Sequence, residues 1–318
     1  MGLNARVREH RYVRGAAFLA QNAAVAIKSG RRTARTRSAR PEVFLAAMVR
    51  VKDEGRFLPE WIAYHQELGV EKFFVYDNGS TDGTASVLGP FISEGSVELV
   101  DWPHRPVSPS ADLHFLENFG PSCRWVAMLD ADEFIRVESP HVLRAWLERE
   151  EASPAVAMNW RYFGSSYFES VPDGLVVENF VRADATLDRH VKVIVQPGQV
   201  LKYRNPHNHY YRRGRLARTV DHRRVLASFA ETAQPDAAVV LNHYVYRSRA
   251  DYERKVLRGY ATSRGEVDMA RRRSRIEREF PRHNDTVQPV PSELLSRVKL
   301  RLSALGIEPS LFESDSTS

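Results

Sequence analysis

The sequence predicts an α/β protein. Its first half reads as a doubly wound, mostly parallel sheet, its second half as a mixed sheet extension, and its end as helices. Three observations carry that expectation. Apolar runs at residues 43–51, 72–76, 97–100 and 124–129 alternate with amphipathic segments, the pattern of parallel strands joined by crossover helices. Three of these runs break off into acidic loops: Lys52-Asp53-Glu54, Asp77-Asn78-Gly79-Ser80 and Asp130-Ala131-Asp132-Glu133. After residue 154 the apolar runs at 155–162, 175–180, 191–195 and 238–245 follow one another with no helical segment between them. They predict mixed or antiparallel strands.

The elements follow in order. Residues 57–68 predict a helix with Phe57, Leu58, Trp61, Ile62, His65 and Leu68 on one face and Gly69 at its end. Residues 85–92 predict a second helix, capped by Ser80 or Thr81. A proline-rich loop at 103–110 and a weak helix at 111–119 lead into the strand at 124–129. Ser139 and Pro140 open a helix over 140–150. Ser248 and Asp251 form a capping pattern at the head of one long helix reaching about residue 279. Within it, the basic run at 271–275 reads as a solvated face. The acidic, serine-rich end at 313–318 reads as disordered.

Charge divides the chain. Residues 1–40 hold ten Arg or Lys and one acid, Glu9, for a balance of +9; the whole chain is +6, so residues 41–318 balance to −3. The domain reading is therefore a basic, flexible extension at 1–40, a catalytic domain at 41–262, and a helical segment with a disordered tail at 263–318. The apolar stretch at 16–27 is too short to span a bilayer and lacks a cleavage site. A basic segment of this kind suits peripheral contact with an anionic membrane face, and an idle solvated tail explains it equally. The single Cys123 excludes an internal disulfide and is compatible with the cytoplasm. A slightly acidic core argues against a nucleic-acid partner.

The acids at the end of the 124–129 run carry the chemistry. Asp130 and Asp132, at i and i+2 beyond a strand end, can converge on one hard cation, and oxygen ligands suit Mg2+ or Mn2+. Such a cation holds a diphosphate and stabilises the charge that grows as a phosphate leaves. A lone D-x-D is usually a solvated turn. Three acidic loops after three strands are harder to dismiss, because ligands of open α/β sheets sit beyond the carboxyl ends of the strands.

Several motifs then fall in order: Lys52-Asp53-Glu54, Leu58-Pro59-Glu60-Trp61 with Tyr64-His65, Leu68-Gly69-Val70, Tyr76-Asp77-Asn78, and Leu129-Asp130-Ala131-Asp132-Glu133-Phe134. Trp160 to Ser166, Lys192 to Pro197 and Asn242 to Ser248 continue the series. Over roughly residues 43–262 the chain resembles the family-2-like and family-92 glycosyltransferases. The resemblance implies a GT-A fold, a nucleotide-sugar donor (a UDP-sugar), a divalent cation and a glycan or glycolipid acceptor; family 92 would imply inversion. It implies that Asp77, with Asn78 beside it, meets uracil or ribose, and that Lys52, Asp53 and Glu54 line the base. Asp132 becomes the more direct metal ligand beside Asp130, and His243 a third. Lys192 is placed to contact phosphate or acceptor. Glu133, Glu169 and Asp188 remain open as candidates for the general base. Trp160, Phe163 and Tyr167 suit either sugar stacking or the core. His207 and His209 suit either a second metal site or a polar loop.

Two other classes fit less well. A sugar nucleotidyltransferase needs an early glycine-rich loop over a triphosphate, and residues 43–56 lack one. A non-catalytic nucleotide- or glycan-binding protein explains the basic segment but not the acids after several strands.

Overall fold

The computed structural model describes residues 15–27, 41–103, 110–231, 237–258 and 269–308. Residues 15–27 form helix α1. The parallel half holds β1 (Val43–Val51), α2 (Leu58–Glu67), β2 (Lys72–Asp77), α3 (Thr84–Val87), α4 (Gly89–Ser93), β3 (Val97–Asp101), α5 (Ser110–Asn118) and β4 (Cys123–Asp130). It continues through β5 (Glu133–Val137), α6 (Pro140–Arg149), β6 (Ala155–Tyr162), α7 (Val176–Asn179), β7 (Arg182–Ala183) and β8 (Val191–Val195). Then come β9 (Val200–Asn205), β10 (Asn208–Tyr211), β11 (Arg218–Thr219), β12 (Val239–His243), α8 (Arg249–Arg258), α9 (Met269–Glu279), β13 (Thr286–Val287) and α10 (Ser292–Ala304).

The main sheet runs β3-β2-β1-β4-β8-β6-β12-β5, with β11 beside β6. The first four strands are parallel. β8 then enters antiparallel to both β4 and β6, which opens the mixed half that the second set of apolar runs predicts. The inner parallel strands β1, β2 and β4 are buried on both faces: one face meets the core around Trp61, Phe73 and Trp125, the other the core around Phe74, Phe115 and Val126. The doubly wound half and its mixed extension are the architecture the GT-A resemblance implies.

Helix α2 serves the sheet in a way its apolar periodicity does not announce. Among the described residues β5 is the last strand of the sheet, with only β12 beside it. Its open edge is met by α2 side chains instead: Trp61 Nε1 donates to Glu133 O (2.7 Å), Tyr64 Oη donates to Ile135 O (3.0 Å), and His65 Nε2 accepts from Ile135 N (3.2 Å). Burial holds the His65 imidazole down at about 4, so it stays neutral and can accept. Three side chains thus stop an exposed edge from leaving peptide groups unpaired.

Tertiary contacts overrule local pattern at several points. The apolar run at 175–180 reads as a strand, yet residues Val176–Asn179 are a helical turn. The cause is Glu60 of α2, whose carboxylate accepts from Val176 N (2.6 Å) and Val177 N (3.0 Å), a capping anion supplied from far along the chain. The helix expected over 85–92 splits into α3 and α4, where Gly89 and Pro90 open the second. Neither Ser80 nor Thr81 caps α3; Asp82 Oδ1 accepts from Thr84 N at 3.0 Å. The long helix expected to about residue 279 is two helices, α8 and α9, packed together through Tyr252, Val256, Ile276 and Phe280. Asp251 N donates to Ser248 Oγ (3.1 Å), as the capping pattern anticipates. The tail at 313–318 and most of residues 1–40 lie outside the described residues, but α1 is docked: Phe18 stacks on Tyr210 and Asn22 Nδ2 donates to Arg215 O.

Burial raises the Glu60 carboxyl to about 7, against the lowering effect of its two backbone N–H partners. A group whose folded value lies above its unfolded one takes up a proton on folding, so its contribution is fully present below about pH 4.5 and is lost as pH rises through about 7. Glu60→Gln is expected to remove up to about 3 kcal/mol of the fall in stability between pH 5 and 7.5. Urea unfolding at both pH values measures it; an unchanged difference between them would show that Glu60 is ionised throughout.

Candidate active site

The site grows from the carboxyl ends of β1, β2 and β4. The loops after β1 and β2 clasp each other. Lys52 Nζ donates to Gly79 O (2.7 Å), Asp53 N to Ser80 Oγ (2.9 Å), Thr81 N to Asp53 Oδ1 (2.8 Å) and Gly55 N to Asp82 Oδ2 (2.9 Å). Asp77 Oδ1 accepts from Ser80 N at 3.1 Å. Asp53 sits in the left-handed region at φ 51°, which Asp tolerates better than most residues, and the clasp holds it there. Lys52, Asp53, Asp77 and Asn78 are therefore brought together in one pre-formed rim. Glu54 turns inward and accepts from Arg247 Nη2 at 2.9 Å.

At the next strand end the backbone turns sharply, from Asp130 closing β4 to Glu133 opening β5. β12 registers His243 opposite Glu133, and Tyr244 N donates to Asp132 O (2.8 Å). This brings the late histidine to the acids. His243 Nε2 lies 3.5 Å from Asp132 Oδ1, while Lys255 of α8 puts its Nζ 2.6 Å from Asp132 Oδ2. Asp130 is held differently: Lys192 Nζ stands 2.7 Å from Asp130 Oδ2 and 3.2 Å from Glu133 Oε2. Glu133 Oε2 also accepts from Asp130 N at 2.8 Å, and Glu133 Oε1 has no partner among the described residues.

The electrostatics follow this interleaving. Burial alone would raise Asp132, but Lys255 and His243 outweigh it and hold the carboxyl well below its usual range. Burial likewise opposes ionisation of Asp130, and Lys192 with Arg50 overcomes it. For Glu133 burial wins against Lys192 and lifts it to about 7. His243 is the converse: burial disfavours its charge, yet Asp132 raises it. Deeper still, Arg247 reaches both Glu54 and Asp251 (Nε to Oδ2 3.0 Å), with its guanidinium 3.6 Å from the centre of the Phe57 ring.

Of the three expected metal ligands, two face each other and the third does not. Among the described residues no three His, Cys, Asp or Glu side chains converge as a metal set. The Asp132–His243 pair suits a divalent cation in its chemistry, because Mg2+ and Mn2+ accept carboxylate oxygen and imidazole nitrogen and complete their shells with water and phosphate. Asp130 instead faces Lys192. The base candidates are scattered. Glu133 is fully buried. Glu169 is far out on the surface, its side chain 76 % exposed near Arg249. Asp188 is half-buried and holds His190, with Nδ1 to Oδ1 at 2.6 Å. Trp160 stacks on His190 (5.2 Å) and meets His243 (4.5 Å), Phe163 is core, and Tyr167 is exposed under Arg182. His207 and His209 do not form a pair: His207 Nδ1 meets Val191 O (2.9 Å), and His209 is buried against Met128 Sδ (3.1 Å).

Three residues at the site escape sequence reasoning: Lys255, Arg247 and His190. Arg247 lies inside the Asn242–Ser248 motif, so its position was marked although its role was not. Lys255 shares a helical face with Asp251, one turn back, which is a weak signal. His190 carries no signal of its own.

The sheet, with four parallel strands and a mixed extension, and the cation-compatible carboxylate and imidazole at its carboxyl edge place the chain in the doubly wound α/β class. The model of glycosyltransferase family 92 matches residues 51–250, and the chain belongs to that family. A family 92 protein of Ricinus communis is 27% identical over 226 residues, covering 70% of this chain and 38% of its own length. One from Oryza sativa subsp. japonica is 28% identical over 201 residues, covering 62% and 32%. The chain thus spans about a third of the length of these curated relatives. Among solved structures, the mannosyltransferase PcManGT from Pyrobaculum calidifontis in complex with GDP-Man and Mn2+ aligns at TM-score 0.38 and 13% identity, covering 92% of this chain and 86% of that one. S. aureus TarS 1-349 aligns at 0.38 and 10%, covering 82% and 72%. Likenesses this distant carry no argument about ligands.

Proposed function

We propose that this chain transfers a sugar from a nucleotide-sugar donor, a UDP-sugar, to a hydroxyl of a glycan or glycolipid acceptor, with inversion at the anomeric carbon. Membership of family 92 supports glycosyl transfer. The observation that carries the rest is the facing of Asp132 and His243 beside Lys192 and Lys255, at the edge where the clasped loops of β1 and β2 also end. In this reading the clasp cradles the nucleoside, with Asp77 and Asn78 toward ribose or base and Lys52 and Asp53 along the rim. Asp132 and His243 hold Mn2+ or Mg2+, which when bound neutralises charge on the diphosphate. Lys192 keeps Asp130 and Glu133 in place and adds positive potential where the leaving group departs. Buried Glu133 positions the turn rather than touching the acceptor.

A cytoplasmic chain docked on the inner membrane face through its basic segment is part of the proposal. Most of that segment lies outside the described residues, and no helix among the described ones is long and apolar enough to cross a membrane.

A thermal shift tests the reading. UDP at about 100 times its Kd is expected to stabilise the protein by about 2.7 kcal/mol, and only with Mn2+ or Mg2+ present. No shift with UDP, GDP or dTDP under either cation would remove the donor site and with it the proposed activity.

A further inference from the structure

Beside His190 and His207, both of which contact Trp160, lies a cavity of about 420 Å3. It opens between α1 and the β9–β10 hairpin, and its wall includes Phe18, Gln21, His190, Arg204, Asn205 and Phe229. That volume lies within the range, about 300–1,000 Å3, of small-ligand sites. The lining mixes two aromatic rings with amide, guanidinium and imidazole groups and contains no carboxylate. Such a surface matches one chemistry well: a sugar ring has apolar C–H faces for aromatic carbons and hydroxyl edges for amides and guanidinium.

Two residues of the cavity wall, His190 and His207, reach the candidate active site through ring contacts with Trp160. Trp160 stacks on His190 with ring centres 5.2 Å apart and an interplanar angle of 21°, and touches His207 (5.3 Å) and His243 (4.5 Å). The Trp160 indole N–H is buried and has no acceptor among the described residues. His190 stands at the junction. Asp188 Oδ1 takes both His190 N (2.8 Å) and His190 Nδ1 (2.6 Å), which places the ring proton on Nδ1 and leaves Nε2 as a free lone pair. The His190 side chain is 38 % exposed, so a ligand can reach it. A carboxylate behind an imidazole that opens on a cavity is the arrangement of an oriented general base.

We infer that this cavity is the acceptor subsite, that it binds a sugar of the acceptor, and that His190, positioned by Asp188, is the catalytic base. The inference rests on the glycosyl-transfer reading above. In the step it describes, His190 Nε2 takes the proton of the acceptor hydroxyl. The oxygen's electron pair forms the bond to the donor's anomeric carbon, and the bond from that carbon to the diphosphate oxygen breaks with its pair going to the diphosphate. Asp188 stabilises the imidazolium, which returns its proton to solvent. Helix α1, which supplies one wall of the cavity, lies outside the residues 51–250 that the family model matches.

The test uses the full chain with UDP-glucose, UDP-galactose or UDP-N-acetylglucosamine as donor and an oligosaccharide array as acceptor. Ala17 is exposed on α1 at the cavity wall, so Ala17→Trp fills the space without disturbing the core. It is expected to raise the acceptor KM about tenfold or more with donor KM unchanged, the loss of about 1.4 kcal/mol of acceptor binding. His190→Gln is expected to lower kcat about 10²-fold or more with donor KM and the UDP thermal shift intact. Transfer by the native chain with both variants unaffected overturns the inference and leaves the proposed function standing. A native chain with neither transfer nor a UDP shift overturns both.

Discussion

Asp132→Asn is expected to lower turnover about 10²–10³-fold, the scale of losing the electrostatic stabilisation that a held cation would supply to the leaving diphosphate. The substitution keeps the shape of the side chain, so the cost falls on charge. Asp132 is the carboxylate that faces His243 on one oxygen and Lys255 on the other. Its neutral amide would leave Lys255 and His243 without the carboxylate that, in this reading, gathers the metal ion. The cation-dependent UDP shift should vanish with turnover. Asp130→Asn makes the contrast. Asp130 is 44 % exposed and engages Lys192 rather than His243, so its loss should cost about tenfold, through a freed Lys192. Steady-state kinetics and UDP titration of both variants decide the matter. An Asp130 variant as damaged as the Asp132 one would mean that both acids hold the cation.

Arg247→Met is expected to cost about 3–5 kcal/mol of folding stability, the penalty for removing one partner from a buried ionic set. Arg247 is 1% exposed and serves Glu54 and Asp251 together. Removing it takes a buried cation from Glu54 and from Asp251, which keeps Arg254, and uncovers the ring of Phe57, over which its guanidinium lies. Glu54 and Asp251 sit on different elements, the loop after β1 and helix α8, so this one residue joins the clasped rim after β1 to the C-terminal helices. Arg247→Lys should recover less than half of the loss, because a single ammonium cannot span both acids or stack on Phe57. Adding Glu54→Gln to Arg247→Met should restore about 1–2 kcal/mol by removing a carboxylate that has lost its buried cation. Urea unfolding reads each step, and a loss below about 1 kcal/mol for Arg247→Met would mean that water already screens the network.

Much of this architecture is legible in the chain. The strands of the parallel half and the acidic loops after them stand where periodicity and turn chemistry put them. Trp61 and His65 are legible as part of a helix face and Tyr64 as part of a motif; their service to the open edge of β5 is not, since nothing local says which strand will lack a neighbour. Gly164 is similar. Its motif position was marked, and the reason lies 120 residues on: a Cβ there would come within 2.5 Å of Asn284 and the carbonyl of His283. The strand expected at 175–180 became a helical turn because Glu60 supplies an anion to its first N–H groups.

The sequence by itself determined the class of fold, the family, and the residue types at the strand ends, because strand and helix periodicities and the order of motifs are properties of neighbouring residues. Only the tertiary structure decided the partners. It set Lys255 on Asp132, Lys192 between Asp130 and Glu133, Arg247 between Glu54 and Asp251, and His190 on Asp188 at the mouth of a cavity walled by α1. Most of these pairs join distant parts of the chain, and an ion pair or a proton acceptor is defined by a few ångströms of separation in a dry interior. That separation exists only after the sheet has chosen its strand order and register.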